Sequence, residues 1–144
     1  MADSATKTAD FVAQSEIVID APPDKVWDAL TDSKKLEKVM FGSKVTTDWK
    51  VGGSLEFFGE WEGKPFKDTG KILVLDKPKT FRSTHVAGSD KSHTEHEVTY
   101  NLAPEGKGTR VHLTQTNNSS AEAKAASEKN WAMMLKNLKQ VVEG

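Results

Sequence analysis

The stretch that decides the fold is SSAEAKAASEKNWAMMLKNLKQVVEG, Ser119 to Gly144. Ser127, Trp131, Met134, Leu135, Leu138, Val141 and Val142 recur at three- and four-residue steps, which places them on one face of an α-helix. Ser119 and Glu122 fit a capping box, in which serine and glutamate side chains satisfy the first exposed amides. Gly144 suits the C-terminal stop. About two dozen residues at 1.5 Å each make a rod of about 35 Å. Such a helix has one apolar stripe to bury, so the chain before it must supply the opposing surface.

Working back from Ser119, the period changes from 3.6 to 2. Arg110–Thr116 alternates, with Val111, Leu113 and Gln115 facing one way. Pro104-Glu105-Gly106-Lys107-Gly108 reads as a turn, and Thr94–Leu102 before it places His96, Val98, Tyr100 and Leu102 on one face. Gly88-Ser89-Asp90 is a loop, Thr80 to about Val86 a strand, and Lys77-Pro78-Lys79 a junction. Phe66–Leu75 and Ser54–Glu62 form two more strands around Gly63-Lys64-Pro65, with Leu55, Phe57, Gly59 and Trp61 sharing a face. Gly52-Gly53 marks the turn after a strand over Lys44–Trp49. Six strands joined by short Gly/Pro turns pair antiparallel as a meander.

The start of the chain differs. Gln14–Asp20 alternates as a strand, and Pro22-Pro23 stops it. Proline is tolerated in a first helical turn, so Pro23-Asp24-Lys25 starts a short helix with Val26, Trp27 and Leu30 as its stripe. Thr31-Asp32-Ser33 offers caps for a second, bearing Leu36, Val39 and Met40, which Gly42 ends. The predicted order is β-α-α-β6-α, an α+β domain. In it, a curved antiparallel sheet buries one face under the long C-terminal helix and leaves a cavity between them. Residues 1–12 are expected to be a flexible tail and 13–144 the domain.

Composition narrows the function. With 144 residues, one domain is expected, large enough to bury about two-thirds of its unfolded surface. There is no cysteine, so disulfides, thiolate metal sites and a cysteine nucleophile are excluded, and a cytoplasmic location is expected. A net charge of −1, with Arg82 and Arg110 the only arginines among 20 basic residues, argues against nucleic-acid capture. Runs such as Ile72-Leu73-Val74-Leu75 are too short to span a membrane.

In Ser92-His93-Thr94-Glu95-His96-Glu97 the two histidines stand three apart on a strand, where alternate residues face opposite ways. The spacing does not fit the helical i, i+4 zinc pattern, so no metal is expected. His96 shares a face with Val98 and Tyr100, and His85 shares one with Phe81 and Ser83. Register can bring the two histidines together on adjoining strands, either as acid–base groups or as ligand contacts. No orienting carboxylate is evident in the sequence, and satisfied core or exposed histidines are the ordinary alternative. Trp49, Phe57, Trp61, Tyr100 and Trp131 can line an apolar pocket, joined by Leu135 and by Met134, which can flank an entrance. A plain core is the competing reading of the same stripe. Asp24, Asp28 and Asp32 are expected on a solvated face.

The segment Ile17-Val18-Ile19-Asp20-Ala21-Pro22-Pro23-Asp24-Lys25-Val26-Trp27-Asp28-Ala29-Leu30-Thr31 resembles the opening of the START-like, or SRPBCC, superfamily. That superfamily includes the major birch pollen allergen and bacterial polyketide cyclases. Val51-Gly52-Gly53-Ser54-Leu55-Glu56-Phe57 and Trp131-Ala132-Met133-Met134-Leu135 are similar to the branch named for the C-terminal domain of the activator of the heat-shock protein 90 ATPase. The likeness runs from about residue 14 to 142. It implies a helix-grip fold with a cavity between the long helix and the sheet. Its functional implication is non-catalytic binding of a small hydrophobic or aromatic molecule, with no cofactor, by a monomer or homodimer. Two alternatives accompany it: a chaperone partner in a stress response, or a cyclase- or hydrolase-type enzyme with His85 or His96 as acid–base and Tyr100 as donor. Full activators carry a further N-terminal domain where only a short tail precedes residue 14, so chaperone activation is not expected.

Overall fold

The computed structural model describes residues 11–88 and 94–144. Its elements are β1 (Phe11–Ile19), α1 (Pro23–Thr31), α2 (Ser33–Val39), β2 (Lys44–Thr47), β3 (Ser54–Trp61), β4 (Lys64–Asp76), β5 (Thr80–His85), β6 (His96–Glu105), β7 (Gly108–Asn118) and α3 (Ala121–Glu143). The expected tail of residues 1–12 overlaps β1 at Phe11 and Val12, while residues 1–10 lie outside the described residues.

Among the described residues the sheet has seven antiparallel strands in the order β1-β7-β6-β5-β4-β3-β2. The meander is as predicted, and β1 joins it against β7 once α1 and α2 have crossed over. Glu62 and Gly63 are both left-handed (φ 52° and 79°), the two-residue turn whose twist matches a hairpin. The turn expected over Pro104–Gly108 is tighter. Pro104 and Glu105 still pair with Thr109 and Gly108, leaving only Gly106-Lys107 outside the ladder. Strand β2 ends at Thr47, short of Trp49, because Trp49 is left-handed (φ 56°) and its amide turns back to the Thr47 hydroxyl.

One local reading of the helices is corrected. Pro22 caps α1 and Pro23 enters its first turn, and the Asp32 carboxylate caps α2 by accepting from the Lys34 and Lys35 amides, as anticipated. The cap of α3, however, is Ser120 rather than Ser119. Ser120 Oγ accepts from the Ala123 amide at 3.0 Å, so Glu122 stands one position too early for a capping box. The reason lies in Asn118. Its amide holds the Phe11 and Gln115 carbonyls at 2.8 and 3.0 Å, and its oxygen accepts from Ser127, extending β7 to the residue before Ser119.

The long helix does not cover the sheet alone. Val26, Trp27, Ala29 and Leu30 of α1 and Leu36 and Val39 of α2 are buried, against Met134, Leu135 and Leu138 of α3. Together they close over Ile19, Leu55, Ile72, Phe81, Val98, Tyr100, Leu102, Val111 and Leu113 of the sheet. Asn137 joins the layers by donating to the Lys38 and Val39 carbonyls at the end of α2. Both sheet edges are blunted by side chains. Glu128 and Glu143 of α3 accept from the amides of Gln14 in β1 and of Asp20 just past its end, and Glu37 accepts from the Val45 amide of β2. Among the described residues, no helix is long and apolar enough to cross a membrane.

Candidate functional site

A chain of aromatic rings runs beneath the helices. Phe81 stacks on Tyr100 (5.4 Å, 12°), Trp27 and Trp49 meet Phe81 edge-on, and Tyr100 meets Trp131 edge-on at 6.5 Å. Register explains it, because Phe81 lies opposite Tyr100, and Tyr100 opposite Leu113, on one sheet face. Each such pair adds about 0.5–1.5 kcal/mol beyond the area it buries. Trp49 serves this stack, its indole donating to Ser33 Oγ at 3.1 Å, and it does not reach the cavity.

The cavity lies at the end of the chain. Phe57, Tyr100, Trp131, His85 and Ser83 are among its walls, and it encloses only about 30 Å³. That is room for a water rather than a ring, since a benzene-sized void needs on the order of 150 Å³. The gap expected from sheet curvature is thus mostly filled by the aromatic stack and the two short helices. Larger spaces open at its mouth. One groove of about 700 Å³ is shaped by Met40, Phe41, Phe57, Pro65, Phe66 and His85. A second, of about 290 Å³, runs past Trp131, Met134 and Asn130. Met40 and His85 border all three spaces and form the threshold between them. At the rim, Phe41 is 65% exposed and left-handed (φ 59°), a costly backbone for a bulky residue.

Polar groups are few and placed at the threshold. His85 Nε2 lies 3.1 Å from Asp68 Oδ2, and Asp68 Oδ1 accepts from the Gly88 amide at 2.8 Å. This pair requires β4 to change partners. Its first half ladders with β3 and its second with β5, and Gly70 passes under the Thr84 carbonyl where a Cβ would collide. Thr69 and Val86 then bridge, which brings Asp68 beside His85. Gly88 likewise approaches the Lys67 carbonyl too closely for any side chain. Burial works against a charged Asp68, but the hydrogen bonds from His85 and Gly88 outweigh it and hold its carboxyl below the usual range. The Phe57 ring packs against the His85 ring at 6.5 Å.

Trp131 Nε1 donates to Gln115 Oε1, which sets the indole across the cavity. Burial pushes the Tyr100 phenol well above its usual value, so it stays a neutral donor. No hydrogen bond ties the Tyr100 or Ser83 hydroxyl among the described residues, although no sealed side-chain N or O atom there lacks a partner. Both hydroxyls therefore open onto the cavity they line.

The residues singled out from sequence divide accordingly. Phe57, His85, Tyr100 and Trp131 converge on the cavity, and Met134 borders its second groove. Leu135 is core, 1% exposed. His96 is the register partner of His85, but its Nδ1 meets the Thr116 carbonyl at 2.8 Å and it faces a separate polar cleft with Gln115 and Asn118. The side chain of Trp61, and His93 with its loop, lie outside the described residues. No group of three His, Asp or Glu side chains among the described residues converges as a metal site. Sequence reasoning missed Asp68, the orienting carboxylate it found lacking. Its signal was an aspartate within a strand, a position that residue disfavours. It also left out the threshold roles of Met40 and Phe41.

A helix gripped by a seven-stranded antiparallel sheet, with a cavity at their junction, is met by a family match. The family described as Activator of Hsp90 ATPase homolog 1-like protein matches residues 20–143. This chain belongs to that family. The family's helix-grip, START-like architecture recurs in solved structures. A protein from Cytophaga hutchinsonii is 37% identical, with 92% of this chain and 94% of that one covered and a TM-score of 0.78. The Aha1 dimer from Colwellia psychrerythraea is 24% identical, covering 92% and 96%, with a TM-score of 0.75. Ara h 8.0201 is 14% identical, covering 92% and 97%, with a TM-score of 0.77. The latter two likenesses concern the fold. No curated protein sequence matches the chain.

Proposed function

We propose that this family member binds a small apolar or aromatic molecule at the mouth of the α3–sheet cavity, without turning it over. The observation that carries the reading is an apolar wall of Phe57, Trp131 and Met40 in which two hydroxyls, Ser83 and Tyr100, have no hydrogen-bond partner among the described residues. Free donors in an apolar recess are what a ligand site offers, because a few polar groups orient an otherwise apolar guest. The enclosed volume holds no ring, so the ligand lies in the groove against Phe57, Pro65 and Phe66, its polar end toward His85. A monomer or homodimer in the cytoplasm accords with this reading.

Native mass spectrometry of gently purified protein, followed by thermal unfolding with a panel of indoles and naphthols, tests it. A ligand at a hundred times its dissociation constant stabilises the fold by about 2.7 kcal/mol, which raises the midpoint by several degrees. The reading is overturned if nothing co-purifies and no compound moves the midpoint. Family membership also supports a second reading, contact with an Hsp90-type chaperone. A changed rate of ATP turnover on mixing would establish it, and an unchanged rate would remove it.

A further inference from the structure

We infer that the Asp68–His85 pair takes a proton from its ligand, so that the molecule bound in the groove is a phenol or a comparable acidic hydroxyl compound, held as its anion. The inference rests on the ligand reading above and adds the chemical class. Three observations support it.

First, the two ring nitrogens of His85 have different surroundings. Nε2 lies 3.1 Å from the Asp68 carboxylate, which the Gly88 amide fixes from the other side. The carboxylate can only accept, so the proton between them sits on Nε2, and in the neutral ring the lone pair is then on Nδ1. Nδ1 has no partner among the described residues, and since no unpaired side-chain N or O is sealed, it is accessible. The ring side chain is about a quarter exposed and borders every space at the threshold.

Second, the charges around His85 favour a neutral donor over a carboxylate ligand. From β4 it faces Asp68, from β6 its register partner His96, whose Nδ1 is engaged by Thr116, and at the far rim of the groove stands Lys64. Among the described side chains, β3 presents Phe57 to it, and α3 the neutral Asn130 and Trp131. A carboxylate ligand would set a second anion beside Asp68, whereas a phenol arrives uncharged.

Third, the walls suit an aromatic ring. Phe57, Phe66 and Pro65 line the groove, and the free Ser83 and Tyr100 hydroxyls lie just inside the threshold as donors toward an oxyanion.

The step balances without a co-reactant. The ligand O–H bond breaks, its proton forms an N–H bond at Nδ1, and the electron pair stays on the ligand oxygen. The imidazolium so formed is stabilised by Asp68, whose hydrogen bond to Nε2–H remains in place. Asp68 acts through His85 and is a positioning residue.

The test uses 4-nitrophenol, whose anion absorbs visible light, and 4-nitroanisole, which has the same ring and no acidic proton. Below the free phenol's titration midpoint, the bound probe should show the phenolate band, its anion-to-neutral ratio raised about tenfold or more over solution. His85→Gln should lose this enhancement and lower the ratio of nitrophenol to nitroanisole affinity by a similar factor. Asp68→Asn should move the bound probe's titration midpoint back toward the free value, a shift that a merely structural role would not produce. Thermal unfolding of each variant verifies that it folds, and the wild-type band stands as a test by itself. If both probes bind and the band is no stronger than in solution, or if His85→Gln retains it, the inference falls and the ligand reading stands. If neither probe binds at millimolar concentration, the inference falls, while the ligand reading is decided separately by co-purification and the wider panel.

Discussion

The two halves of α3 hold the molecule together by different means. From Trp131 onward burial is added to polar anchors such as Asn137 and Glu143: Met134, Leu135 and Leu138 are sealed in one cluster with Ile19, Val26, Leu30, Val111 and Leu113. From Ala121 to Asn130 no residue is buried, and the contacts are polar. Ser120 caps the helix, Ser127 donates to Asn118, Glu128 accepts from the Gln14 amide, and Lys124 pairs with Glu128. The grooves open where one regime gives way to the other, at Trp131 and Asn130. Apolar burial is strong and unforgiving of gaps, whereas surface polar contacts are weak singly and can be remade. A cavity mouth bordered by the polar half can admit a guest without unpacking the core.

Leu138→Ala probes the buried half and should lower stability the most, by about 3 kcal/mol, since leucine in a sealed core leaves a cavity when truncated. Thermal or denaturant unfolding measures it, and a loss below about 1 kcal/mol would break the contrast. Trp131→Phe, at the junction, keeps most of the ring but strands the Gln115 oxygen it now satisfies. A loss of about 1–2 kcal/mol is expected, and substituting Gln115 by Leu in the same background should recover part of it.

Asp68 sharpens the comparison through pH. Its folded carboxyl titrates below the unfolded value of about 4, so its contribution is complete above that value and is lost as pH falls through the lower folded one. Asp68→Asn should therefore cost about 1 kcal/mol near neutrality and flatten the acid limb of the stability curve. An unchanged acid limb would mean that the hydrogen bonds to Asp68 carry no weight. Tyr100→Phe should have the smallest effect, within about 0.5 kcal/mol, because its hydroxyl has no partner to lose among the described residues. A large loss would show that the hydroxyl is bonded within the fold and not open to the cavity.

Much of the fold was legible before any coordinates. The Pro22-Pro23 junction, the Asp32 cap, the turns at Gly52, Gly63 and Gly106, and the apolar stripe from Trp131 to Val142 are local features, and each produced the element expected of it. Strand β2 stopped early for a local reason, the left-handed backbone at Trp49 whose amide meets the Thr47 hydroxyl. At α3 a distant contact had intervened: the cap moved to Ser120 because Asn118 reaches back to Phe11 on the neighbouring strand. The site was legible in part for the same reason. Phe57, His85, Tyr100 and Trp131 share faces that alternation and helical spacing predict, but their company does not follow from spacing.

The sequence by itself determined the order of elements, the face each one buries and the aromatic character of the recess, because side-chain periodicity and turn chemistry act over a few residues. Only the tertiary structure decided how little space the recess encloses, which histidine borders it and which carboxylate meets that histidine. Asp68 and His85 are seventeen residues apart on strands that come together only because β4 changes partners beside Gly70. Volume and long-range pairing depend on how whole layers settle against one another, and no local pattern records that.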